Sequence, residues 1–156
     1  MKTLEPILAE HPFFKGLKPE YLQLVTGCAS NVRFDTGVYM FREGEEATRF
    51  YLLRQGKVAL EIFAAQRGPI TIETIEAGEV MGWSWLFPPY LWHFDARATE
   101  PTTAVCFSGI LLRQHRGEDP ALSHELFKRA CEVMVRRLQA ARSKLLAAKK
   151  RLESAK

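Results

Sequence analysis

All the tryptophans of the chain, Trp83, Trp85 and Trp92, fall within ten positions of the segment from Gly78 to Ala98. The same segment carries Glu79, Gly82, Ser84, His93 and Arg97. Rigid amphipathic rings beside backbone that only glycine keeps approachable suit the enclosure of a small ligand, because pockets are mostly apolar with a few placed polar groups. In such a pocket Trp83 and Trp92 would be stacking walls for a flat ring. The Ser84 hydroxyl would be a placed polar group there, and His93 or Arg97 would add the positive charge. Gly78, Glu79, Gly82, Trp83, Ser84, Trp85, Trp92, His93 and Arg97 are therefore the candidate ligand-binding residues. The adjacent Pro88 and Pro89 and the strand-like exit also describe an ordinary strand corner sealed by aromatics.

The other reactive side chains make no catalytic pattern. Cys28, Cys106 and Cys131 lie far apart with no Cys-x-x-Cys spacing, so reduced thiols are expected. His11, His93, His115 and His124 include no His-x-His, and Asp95 near His93 is a weak ligand pair, so no metal is expected. There is no Gly-x-Ser-x-Gly and no phosphate-loop motif. The expectation is a binding protein rather than an enzyme, with no resident cofactor.

The elements that must position this segment follow from the pattern along 156 residues, 47% of them hydrophobic and 26% charged, enough for one domain with a core plus an extended appendage. Leu4 to Ala29 carries two short helical patterns, through Leu4, Ile7 and Leu8 and through Tyr21, Leu22, Leu24 and Val25, with Pro19 at a helix start. From Asn31 to Phe107 the runs are β-like: Val38–Phe41, Phe50–Leu53, Val58–Phe63, Ile70–Ile75 and Ala104–Phe107. Turn signals at Gly37, Gly44, Gly56, Gly68, Gly78 and Pro101 break them at the spacing of a sandwich or closed barrel.

After a short apolar turn at Ile110 to Leu112, Asp119 is placed to cap a helix that Pro120 opens and that meets no further Pro or Gly. Its length of about 36 residues, about 54 Å, exceeds what a barrel can cover. Along it Phe127, Cys131, Met134, Leu138, Ala141, Leu145, Ala148 and Leu152 alternate spacings of four and three, the seam of a coiled coil. Phe127, Cys131, Met134, Leu138, Ala141 and Leu145 are accordingly the expected interface of a homodimer. An amphipathic helix packed on its own domain would account for the first half only.

The net charge is +4, with basic residues gathered in the last quarter of the chain. They would suit nucleic acid or anionic lipid, or form the solvated face of the helix. The start lacks the apolar run of a secretory signal, and the uncharged run Val80–Phe94 is too short to span a bilayer, so the expected location is cytoplasmic, with no membrane partner.

Phe34-x-x-Gly37-x-x-Met40-Phe41-x-Glu43-Gly44, then Phe50-Tyr51-Leu52-Leu53-x-x-Gly56-x-Val58, then Gly78-Glu79-Val80-Met81-Gly82, resembles the cyclic nucleotide-binding domain family, the sensor module of catabolite-activator-type regulators. The likeness runs from about His11 to Leu146. It implies an α+β, mainly β fold: a jelly-roll β-barrel with short N-terminal helices and a long C-terminal dimerisation helix, the whole of residues 1–156 being one domain (1–30 helices, 31–107 β-roll, 108–156 helices). It also implies that the segment after Gly82 is a phosphate-binding cassette, in which helix amides and an arginine hold the cyclic phosphate and a glutamate holds the ribose.

In this chain the glutamate position is Trp83. The arginine position falls on Trp92 with His93 its polar neighbour, or, in a shifted register, on Arg97. Loss of both anchors matters, since each hydrogen bond to a charged group is worth about 1.5–3 kcal/mol. Two readings follow from the resemblance. One is a stand-alone regulatory sensor for signal transduction, taking a cyclic nucleotide or another small anionic or aromatic ligand in a degenerate cassette coupled to the dimeric helix. The other is a ligand-free protein-protein interaction or scaffold module with an aromatic-filled pocket. Many relatives carry a helix-turn-helix after the long helix. With the sequence ending at Lys156, direct DNA binding is not expected, and the protein partner is left open.

Overall fold

The computed structural model describes residues 4–116 and 120–155. Two short helices, α1 (Glu5–Glu10) and α2 (Pro19–Gly27), precede the strands. Both carry proline in the first turn, where its missing N–H costs no bond, and they bury Leu8, Leu22 and Val25.

Eight strands follow: β1 (Ala29–Phe34), β2 (Tyr39–Phe41), β3 (Arg49–Gln55), β4 (Lys57–Ala64), β5 (Gly68–Glu76), β6 (Val80–Met81), β7 (Asp95–Ala98) and β8 (Thr102–Ser108). They form two four-stranded antiparallel sheets, β1-β8-β3-β6 and β2-β7-β4-β5. This is the jelly-roll arrangement, built as two separate sheets and not as the closed barrel that the strand spacing allowed. Phe41 of one sheet lies against Tyr51 of the other, their centroids 6.5 Å apart. The tight passage from β3 to β4 depends on Gly56, whose φ is 96° and where a Cβ would collide with Thr102 and the Pro101 carbonyl.

The short strands β6 and β7 and the polar β1 are the elements the sequence pattern did not reveal. β1 is an edge strand, so Ser30, Asn31 and Arg33 stay exposed and its apolar period is lost. Ile110 to Leu112, expected as a turn, instead belong to a helix, α3 (Gly109–Arg116). The Ser108 hydroxyl accepts the Leu111 N–H, the bond of an N-cap, and that cap escaped a reading by apolar period alone.

The chain divides into two compact units, the second starting at Asp119. It consists of helix α4 (Pro120–Ser154), 35 residues long, near the expected length. The expected Asp119 cap lies outside the described residues. On α4, Leu122, Leu126 and Ala130 are buried, a stripe adjoining the one that runs through Phe127 and Cys131. Phe127 and Met134 are half-buried, while Cys131 and Ala141 are exposed and Leu138, Leu145 and Leu152 are 70%, 69% and 70% exposed.

Candidate functional site

The segment of interest leaves β6 at Gly82, forms one 3-10 turn over Ser84–Leu86 and returns to the sheet at β7. Gly82 has φ 96°, and a Cβ there would stand 3.1 Å from the Trp92 ring and 3.4 Å from the Phe50 backbone. The chain passes so close to Trp92 that only glycine fits without displacement.

The tryptophans divide between two clusters because neighbouring residues of a strand point to opposite faces. On β3, Phe50 and Tyr51 are both buried, on opposite faces. Phe50 stacks on Phe107 at 4.4 Å and on Trp85 at 5.3 Å, each at 10°, with Trp83 at 5.7 Å. Trp83 in turn lies 5.4 Å from Phe13, in the turn after α1. Tyr51 belongs to the other cluster, with Phe34 and Phe41, and there Trp92 stacks on Phe41 at 3.7 Å and 10°. Trp92 is 3% and Trp85 2% exposed, and Trp83 is half-buried. Trp83 and Trp92 are thus packed against different faces of β3 and do not face each other as the two walls of one slot.

The polar candidates are equally dispersed. Arg97 lies opposite Ala59 on β4, on the face away from Ala96, Ala98, Val58 and Leu60. Its guanidinium donates two hydrogen bonds of 2.9 Å to the Glu61 carboxylate, which is 2% exposed. That bidentate pair holds the Arg97 pKa above its ordinary value, chiefly through the hydrogen bonds and then the carboxylate charge. His93 is exposed, and Ser84 is half-buried. Glu79 is turned back on its own hairpin, where its carboxylate accepts the Glu76 N–H. Gly78 accepts a hydrogen bond from His11 Nε2 at 2.7 Å, while His11 Nδ1 accepts the Phe13 N–H, so the N-terminal turn is tied to the start of the segment. A single 3-10 turn without a side-chain cap offers little of the dipole expected of a phosphate-binding helix.

Several residues that complete this region had no motif to mark them. Arg113 of α3 donates to the Trp85 carbonyl at 3.2 Å and lies over the Tyr90 ring at 4.5 Å, clamping the 3-10 turn. Gly109 permits this approach, since a Cβ there would be 3.0 Å from Trp85. Asp95, 8% exposed, accepts the Glu43 N–H at 2.7 Å and faces Arg42 at 3.4 Å. Two polar atoms are left over. The indole N–H groups of Trp83 and Trp85 are buried without a hydrogen-bond partner among the described residues.

Elsewhere, the buried thiols of Cys28 and Cys106 are pushed up in pKa by burial. Among the described residues no group of histidine, cysteine and carboxylate side chains is disposed to hold a metal ion. No helix among them is long and apolar enough to cross a membrane.

Among curated proteins none matches the chain in sequence. Solved structures do. A candidate cyclic nucleotide-binding protein from Geobacter metallireducens GS-15 superposes with a TM-score of 0.77 at 28% identity, over 88% of this chain and 99% of that one. A cyclic nucleotide-binding domain from Methylobacillus flagellatus KT gives a TM-score of 0.76 at 17% identity, over 94% and 82% of the two chains. The sensor domain of the transcriptional regulator DNR from Pseudomonas aeruginosa gives 0.69 at 22% identity, over 86% and 91%. At such identities the last two bear on the fold alone. The sequence pattern of the cyclic nucleotide-binding domain matches residues 31–115, more than half of the chain, from β1 through the aromatic segment into α3. By that match, and by the jelly roll that carries it, the chain belongs to the cyclic nucleotide-binding domain family.

Proposed function

We propose that the chain is a non-catalytic regulatory module of this family whose cassette is closed to cyclic nucleotides, and that it acts through a homodimer of its C-terminal helix and a protein partner. The observation that carries this reading is Trp92: matched to the family pattern it stands at the arginine position, and it is buried and stacked on Phe41 beside Gly82. An indole there supplies no charge for a phosphate, and its ring occupies volume. The other arginine candidate, Arg97, is committed to Glu61, so a phosphate would have to displace a bidentate carboxylate that is otherwise left charged and buried.

The homodimer rests on α4. Leu138, Leu145 and Leu152 recur every seven residues with Ala141 and Ala148 between them, and the three leucines stand bare on an isolated chain. A second copy of the helix would cover that seam. The basic residues beside it are its solvated flank in this reading.

A second reading, a sensor for a small anionic or aromatic ligand, draws support from the indole N–H groups of Trp83 and Trp85, which have no partner among the described residues. A buried donor left unpaired costs about 1–3 kcal/mol, which an acceptor oxygen would recover. Calorimetric titration with cyclic AMP and cyclic GMP tests the leading reading: no saturable heat is expected at millimolar ligand. Micromolar binding that disappears in Arg97→Ala would overturn it and place the phosphate at Arg97.

A further inference from the structure

Three of the arginines around the roll are already engaged. Arg97 is held by Glu61, Arg42 by Asp95 and the Tyr39 ring, and Arg113 by the Trp85 carbonyl and the Tyr90 ring. Arg33 and Arg54 are not. Both are exposed, and among the described residues neither has a carboxylate partner. They come from different strands, yet both line one concavity of about 450 Å³ with Asn31, Val32, Gln55, Thr103 and Ala104.

The sheet register explains why these side chains converge. Arg33 on β1 lies opposite Thr103 on β8, and Thr103 lies opposite Gln55 on β3, so the three form one row across the sheet. Asn31 is two residues along β1 and shares the face. Regular alternation would send Arg54 and Gln55 to opposite sides. The pairing of β3 with β8 is irregular between Leu53 and Gln55, and both Arg54 and Gln55 line the cavity. None of these residues belongs to the Gly78–Arg97 segment.

We propose that this concavity binds a small organic phosphate. Two guanidinium forks free of carboxylates match the oxygens of a phosphoryl group, which each can bond in bidentate fashion. Asn31, Gln55 and Thr103 both donate and accept hydrogen bonds, the pairing that the hydroxyls of a sugar-like remainder require. The volume lies in the range of small-molecule sites, roughly 300–1,000 Å³. Two cations in a concavity suit one phosphate better than a polynucleotide backbone, which is held by a longer track of basic groups.

The test is an NMR titration of the full-length ¹⁵N-labelled chain with ribose 5-phosphate, inorganic phosphate, ribose and a single-stranded oligo-dT. Ribose 5-phosphate should shift the amides of Asn31, Arg33, Gln55 and Thr103 saturably and bind more tightly than inorganic phosphate, with ribose alone silent. Arg33→Gln and Arg54→Gln should each weaken it about tenfold or more, at unchanged melting temperature because both side chains are exposed. The proposal is overturned by the absence of saturable shifts at millimolar ribose 5-phosphate, by shifts that persist in the double variant, by inorganic phosphate binding equally well, or by tighter binding of the oligonucleotide. Cyclic nucleotide binding at the cassette would leave these amides unaffected, so the two readings fail separately.

Discussion

Around β3, Phe50 and Tyr51 each bury a whole ring, and the tryptophans that follow Gly82 find stacking partners within the same chain. On the distal half of α4, Leu138, Leu145 and Leu152 are equally regular in spacing and remain about 70% exposed. The difference lies in where each apolar surface is satisfied. A strand whose two faces are covered disposes of aromatic residues internally, with Phe107 and Trp85 on one side and Phe41 and Trp92 on the other. A single helix has no second layer of its own, and in the proposed homodimer a second chain would cover the seam on α4.

The largest expected effect comes from removing that seam. Leu138→Asp combined with Leu145→Asp should convert a dimer to a monomer in analytical sedimentation; a wild-type chain that is already monomeric at tens of micromolar would mean that the seam stays uncovered. Cys131 reports on the same surface. In a parallel, in-register pair Cys131 meets its own counterpart, so mild oxidation should give a covalent dimer that Cys131→Ser abolishes. Cys28 and Cys106, buried and with raised thiol pKa values, should stay unmodified.

Next in size is the aromatic interior. Trp92→Ala should cost about 3–5 kcal/mol in denaturant unfolding, the usual loss for a large buried aromatic. Trp83→Ala should cost less, about 1–2 kcal/mol, because that ring is half-buried. Equal losses at the two positions would mean that Trp83 is packed as deeply as Trp92.

A smaller effect reads out Tyr51. Burial, together with the nearby Cys106 thiol, pushes its pKa up to about 12. The folded chain therefore holds the phenol proton more tightly than the unfolded chain, whose tyrosine titrates near 10. This contribution is complete below about pH 10 and is lost as pH rises toward 12, a loss of about 2–3 kcal/mol. Tyr51→Phe should flatten that alkaline limb of the melting curve; a limb unchanged in the variant would assign the titration to another group.

The smallest effect concerns the tie between the N-terminal turn and Gly78. His11→Ala removes the bonds to the Gly78 carbonyl and from the Phe13 N–H, and should cost about 1 kcal/mol while speeding hydrogen exchange at Phe13. Exchange at Phe13 that matches the wild type would show that the bond to His11 does not protect this amide.

The order of helices, strands and long terminal helix was legible in the sequence because each rests on a local signal: prolines at helix starts, glycines at turns, and apolar runs of strand length. The apolar period along α4 is equally a local signal, and the pairing proposed for it is not decided by the fold of one chain. Val80–Met81 and Asp95–Ala98 were not legible as strands, since two and four residues carry no period. The direction of the indoles was not legible either. Trp83, Trp85 and Trp92 are near neighbours in sequence, and only the pairing of β3 with β8 and β6, together with the close pass of Gly82 over Trp92, sends them to different clusters. Likewise the partner of Arg97 has no local signal: its carboxylate is thirty-six residues away and is brought to it by the β4–β7 register. Sequence spacing determines which face of an element a side chain occupies, whereas the partner on that face is chosen by strands distant in the chain, and that choice belongs to the tertiary structure.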